Sequence, residues 1–149
     1  MAKPLAELDG TEPIADEELV FRRIPVSTGW YDPAVSPQPS PLAFRPRDDD
    51  DTGLSIVRGH PYNTPETAAR GPAKRGYFVA VFRVGDLRRH GFHVDPKPVL
   101  GVLGHAEITD LTSANRDSDE IRSMIVKLAH ELCLRIEGPF NATPNLPHP

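Results

Sequence analysis

The sequence predicts an α+β domain: a small, mostly antiparallel sheet of four or five strands, one long C-terminal amphipathic helix, and one or two short helices. Three observations lead there. Short apolar runs bounded by Gly, Pro and Asp recur from residue 18 to residue 109. Residues 76–84 (GYFVAVFRV) are apolar on both faces, as a strand flanked on both sides requires. Ile121, Met124, Ile125, Leu128, Leu132 and Ile136 recur at three- and four-residue spacing, an amphipathic helical stripe.

Residues 1–17 are acidic, carry few large apolar side chains and show no periodicity, so they read as a disordered arm. Residues 18–138 form the single domain, and residues 139–149 a flexible Pro-rich tail. The first strand is expected over residues 18–24, with Leu19, Phe21 and Arg23 on one face and Val20, Arg22 and Ile24 on the other. Pro25 ends it. Residues 26–46 are punctuated by proline, with Trp30, Tyr31 and the Leu42-Ala43-Phe44 triplet as anchors. A connection this long needs a functional or packing reason. An Asp-rich turn opens a second strand at residues 53–58.

Thr64 followed by Pro65 is a helix start with cap and first-turn proline, stopped by Gly71-Pro72. A short helical turn at residues 86–90 closes at Gly91. Strands follow at residues 92–95 and 105–109. Ser118 caps the long helix, Asp119 and Glu120 suit its positive end, and Gly138-Pro139 terminates it.

Net charge is −4, which argues against nucleic-acid binding by the whole molecule. One cysteine, Cys133, excludes an internal disulfide. With no apolar leader and no apolar run of spanning length, a cytoplasmic location is expected and no membrane association. Val126, Cys133 and Leu134 lie off the helix's main stripe, which hints at a homodimer contact.

No phosphate loop, nucleophile elbow or dinucleotide fingerprint is present. Asp48, Asp50, Thr52 and Gly53 match the first half of a calcium loop, but Gly59 stands where its bidentate glutamate belongs. The aspartates are therefore read as partners of Arg45, Arg47 and Arg58, with no metal site. His90, His93 and His105 fall to capping or surface positions, since Gly91-Phe92 spoils a zinc-ligand spacing. Cys133 reads as a half-buried structural thiol.

The chemistry that remains is an arginine cluster. Arg23, Arg45, Arg47, Ser55 and Arg58 come from segments that a sheet can bring together, and guanidinium forks suit carboxylate or phosphate. The primary reading is a binding protein for another protein or a small anionic ligand, with no cofactor.

An enzyme alternative rests on order along the chain: Arg22 or Arg23 on the first strand, Ser55 on the second and Glu107 on a late strand. That pattern resembles ADP-ribosyltransferases, and the resemblance implies NAD, with arginine holding phosphates, serine supporting the sugar and glutamate orienting the nucleophile. The departures are Leu54-Ser55-Ile56 in place of a Ser-Thr-Ser motif, and a single glutamate in His105-Ala106-Glu107. A second alternative is an RNA-binding module using Arg83, Arg88, Arg89 and Lys97 beside Tyr77, Phe78 and Phe82.

Five pieces resemble a small uncharacterised bacterial protein family: Phe21-Arg22-Arg23-Ile24-Pro25, Ser40-Pro41-Leu42-Ala43-Phe44-Arg45-Pro46-Arg47, Gly53-Leu54-Ser55-Ile56, Val84-Gly85-Asp86-Leu87-Arg88 and Gly104-His105-Ala106-Glu107-Ile108. The resemblance implies a compact domain and transfers no catalytic residue.

Overall fold

Six strands form one antiparallel sheet in the computed structural model, which describes residues 5–70 and 75–140 of the chain. They are β1 (Leu19–Pro25), β2 (Leu54–Arg58), β3 (Tyr77–Arg83), β4 (Val94–Pro96), β5 (His105–Ile108) and β6 (Arg135–Phe140). Their order across the sheet is β4-β5-β2-β1-β3-β6, and every neighbouring pair is antiparallel. Three α-helices accompany it among the described residues: α1 (Pro65–Ala68), α2 (Val84–Arg89) and α3 (Asp119–Lys127).

Alternation along the strands sends side chains to two different cores. Val20, Ile24, Leu54, Ile56, Phe82, Ala106 and Ile108 face the larger one, covered by Ile121, Ile125 and Leu128. Phe21, Val79 and Val81 face the smaller one, where Ala68 and Ala69 at the end of α1 cover them. The expected cap of α1 is present: Thr64 Oγ1 accepts from Thr67 N–H, and Pro65 occupies the first turn. Ser118 Oγ likewise accepts from Ile121 N–H at the start of α3.

The long connection from β1 to β2 has a packing reason. Tyr31 meets Phe78 edge-on at 4.9 Å between ring centroids, and Phe44 meets Phe82 the same way at 5.4 Å. Trp30 packs against the larger core. A 3-10 turn, Pro41–Phe44, is capped by Ser40 and buries Ala43 and Phe44.

Two expectations need correction. The sheet has six strands where four or five were expected, because the chain after α3 is not helical to Gly138. α3 is nine residues long, continues for one π-helical turn at Leu128–Leu132, and then gives way to β6. Ile136 lies four residues after Leu132 and so continues the helical period, yet it sits opposite Ala80 in the β3–β6 ladder. The apolar strand β3 has β1 on one side only, and β6 supplies the hydrogen bonds its other side needs.

The acidic segment before β1 is also packed, at Gly10 and Ile14. Ile14 is 4% exposed and belongs to the larger core. Gly10 N–H donates to Tyr62 Oη, and Arg58 donates to the Glu12 and Pro13 carbonyls. Its carboxylates are thus partly spent on Arg58 and Arg88, which composition alone does not disclose. At the other end, Pro139 and Phe140 belong to β6, and residues 141–149 of the expected tail lie outside the described residues.

Candidate functional site

β1 and β2 pair only through Val20–Arg58 and Phe21–Val57, although β1 continues to Pro25 and stays paired with β3 as far as Tyr77. Where the β1–β2 ladder stops, a side chain takes over. Arg22 Nε donates to the Ala43 carbonyl at 3.2 Å and its Nη1 to the Ser55 carbonyl at 2.8 Å. A guanidinium carries five N–H donors in a fixed fork, so three remain.

Arg22 lines a cleft of about 140 Å³. Its cationic lining is Arg22, Arg23, Arg45, Arg47 and Arg75, with Ser55, Trp30 and Tyr77 beside them. No aspartate or glutamate lines it. Arg45 is paired with Asp117 at 3.0 Å. Among the described residues, which include every Asp and Glu of the chain, no ion pair engages Arg22, Arg23, Arg47 or Arg75.

The electrostatics follow from that imbalance. Burial lowers the Arg22 guanidinium to about 10; Asp50 opposes the fall, and Arg47 and Arg23 add to it. Burial lowers Arg23 as well, Tyr77 opposing while Arg47 and Arg75 deepen the shift. Each cation is therefore less comfortable charged here than in water, and the opposite charge of an anion in the cleft would offset both causes. Arg23 and Arg75 lie 5.4 and 5.5 Å from the centroid of the Tyr77 ring, and Arg75 Nε donates to Tyr77 Oη at 3.1 Å.

Of the five residues expected to bind, Arg23, Arg45, Arg47 and Ser55 line this one cleft. Arg58 does not. It is 3% exposed, with its guanidinium turned to the Glu18 carboxylate and the Glu12 and Pro13 carbonyls. The expected pairing of Arg45, Arg47 and Arg58 with the aspartate run is replaced by partners distant in sequence: Arg45 with Asp117, Arg116 with Asp48, and Arg58 with Glu18. Only a backbone group, Arg47 N–H, bonds to Asp50 Oδ2, at 2.6 Å.

Ser55 and Glu107 face each other across the β2–β5 ladder. Glu107, however, is 8% exposed, accepts from Thr52 Oγ1 with both oxygens, and does not line the cleft. The neighbour that does engage the Ser55 side chain is His105, whose Nε2 is 2.7 Å from Ser55 Oγ. His105 Nδ1 lies 2.8 Å from the Lys97 carbonyl.

Sequence reading gave Arg75 no site role, placed Tyr77 only in the RNA-binding alternative and took His105 as a capping or surface residue. The signal for His105 is one of register: β5 alternates His105 and Glu107 outward from the larger core, on the face that β2 gives to Ser55 and Val57.

His90 caps α2 through the Asp86 carbonyl and His93 pairs with Asp110. Among the described residues no group of three or more His, Cys, Asp or Glu side chains is placed to hold a metal ion. Tyr77, Phe78 and Phe82 are buried, which leaves no aromatic platform beside Arg83, and Arg88 and Arg89 are bonded to Asp16 and Asp86. No helix among the described residues is long and apolar enough to cross a membrane. The chain matches no protein family model, no curated protein and no solved structure.

Proposed function

We propose that the protein binds a small anionic ligand, taking a phosphate or carboxylate group into the cleft between the parted ends of β1 and β2. The carrying observation is the charge imbalance: four arginines without a carboxylate partner around one small opening. Guanidinium groups held together without a carboxylate in direct contact cost stability, and an anion relieves that cost while supplying acceptors for their forked donors.

Size narrows the ligand. Pockets for drug-sized molecules run to roughly 300–1,000 Å³, so a cleft of about 140 Å³ accommodates a charged head group. It does not enclose a dinucleotide. The rest of a ligand would lie along the adjoining open groove, which shares Trp30, Arg45 and Arg47 with the cleft. This favours anion binding over the NAD-dependent alternative, which also loses Glu107 to Thr52.

Inorganic phosphate is the probe. Calorimetric titration is expected to give one site per chain, weakening as salt rises. Arg47→Gln removes an exposed guanidinium that makes no hydrogen bond or ion pair among the described residues, and it should weaken phosphate binding by about tenfold or more, the size of one charge-assisted hydrogen bond. Unchanged affinity in that variant, or no saturable phosphate binding, would refute the assignment.

A further inference from the structure

We propose that Ser55 is a nucleophile and His105 its general base, and that the pair transfers the phosphoryl group of a small phosphate monoester held by the arginine cleft. The inference rests on the anion-binding reading and adds a reaction to it. Lys97 supplies only a carbonyl acceptor to His105 Nδ1, so that nitrogen carries the imidazole proton. Nε2 is then left with its lone pair toward Ser55 Oγ at 2.7 Å. A hydroxyl bonded to a base that a third group orients is the arrangement that activates serine.

Cleft size decides which bond is attacked. Ser55 lines the same small opening as Arg22, Arg23 and Arg47. There is no room to hold the anionic group there and present a separate ester carbonyl, so the anion itself is the reacting group. Arginine forks around a phosphoryl group stabilise charge on its equatorial oxygens as it transfers.

The step balances as follows. Ser55 Oγ bonds to phosphorus as the bond to the ester oxygen breaks, and the Ser55 proton passes to His105 Nε2. Displacement is in line, which puts the leaving oxygen on the side away from His105. No carboxylic acid lines the cleft, so that oxygen is protonated by water. A water molecule then attacks phosphorus from the vacated side and gives a proton to the hydroxide left by the first step, the P–Oγ bond breaks, and His105 returns its proton to Ser55. The sum is monoester plus water giving alcohol plus phosphate. Esters of acidic alcohols, aryl phosphates above all, react fastest because their leaving oxygen needs no proton.

The test uses p-nitrophenyl phosphate with the full chain. The expected result is p-nitrophenol release with a phosphoryl group trapped on the Ser55 peptide by acid quench and mass spectrometry. Ser55→Ala abolishes both. His105→Gln slows both by about 10²–10⁴-fold, the range for a general base. Both variants should keep the wild-type circular dichroism spectrum, which separates lost chemistry from lost fold. Wild-type protein that binds phosphate yet shows no Ser55 phosphorylation, or turnover unchanged in Ser55→Ala, overturns the inference and leaves the binding reading intact. Absence of phosphate binding in the wild type removes both.

Discussion

Arg22 Nη1 donates to the Ser55 carbonyl at 2.8 Å, spanning the gap where β1 and β2 no longer pair. The same guanidinium lines the cleft that the gap opens. It therefore holds the two strands at their spacing and offers its remaining donors to whatever enters. Local order and ligand binding are tied through one side chain. An anion that neutralises Arg22 should firm up the β1–β2 junction.

That linkage makes phosphate a stabiliser. A ligand at a hundred times its dissociation constant adds about 2.7 kcal/mol to a native state that alone binds it. For a chain of this size the shift in Tm is roughly 5–10 °C. Arg23 is the informative variant. It contributes to the repulsion felt by Arg22 and itself suffers from Arg47 and Arg75. Arg23→Met should leave Tm without phosphate at or above the wild-type value and shrink the phosphate-induced rise. A large loss of Tm without phosphate would show that Arg23 is structural.

Arg58 behaves oppositely. Its guanidinium is closed in by Glu18 and the Glu12 and Pro13 carbonyls, with the Tyr62 ring 5.2 Å away. Arg58→Met strips the acidic segment of its main anchor and leaves Glu18 without its cation, a change that costs about 3 kcal/mol. Phosphate affinity, measured well below the lowered Tm, should stay within about twofold of the wild type, far short of one lost charge-assisted bond. A tenfold loss of affinity would return Arg58 to the site.

Much of the fold was legible because strands β1 to β5 each show their own local pattern and their own stop signals. β6 was hidden by coincidence of period, since Ile136 fits a helix from Leu132 as well as a strand beside β3. Within the site, the arginines of β1 and of residues 45–47 were legible from proximity to one strand end. The role of Arg58 was not, because its partners Glu12 and Glu18 lie some 40 residues earlier in the chain. Likewise Ser55 and His105 are 50 residues apart and meet only once the β2–β5 register is fixed. Long-range ion pairs and diagonal cross-strand contacts have no signature in a single sequence.

Gly104 marks a second place where backbone and acidic segment are coupled. Its φ is +69°, and a Cβ there would lie 2.6 Å from Tyr62 Cβ and 2.8 Å from its Cγ. Those atoms belong to the root of the side chain and cannot swing aside. Tyr62 in turn bonds Glu12 and Gly10. Gly104→Ala combines left-handed strain with a clash, for an expected loss of about 2 kcal/mol or more. Hydrogen exchange should show residues 10–14 opening first. Wild-type stability in this variant would mean that Tyr62 is free to move.

Cys133 gives a test in the pH dimension. Burial raises its thiol to about 11, with hydrogen bonding to the Val81 and Arg135 backbone and the Arg135 charge opposing. The thiolate is the reactive form. At pH 8 the folded chain should then react with iodoacetamide on the order of a hundredfold more slowly than the urea-unfolded chain, whose thiol ionises at an ordinary value. The sign for stability follows from the same shift. The folded state disfavours the thiolate, so stability from this group is whole below the unfolded value of about 9 and falls as pH rises from there toward about 11. Cys133→Ser, whose hydroxyl does not ionise in that range, should lose that part of the alkaline decline. Equal alkylation rates in folded and unfolded protein would show that the π-helical turn before Cys133 leaves its sulfur open to solvent.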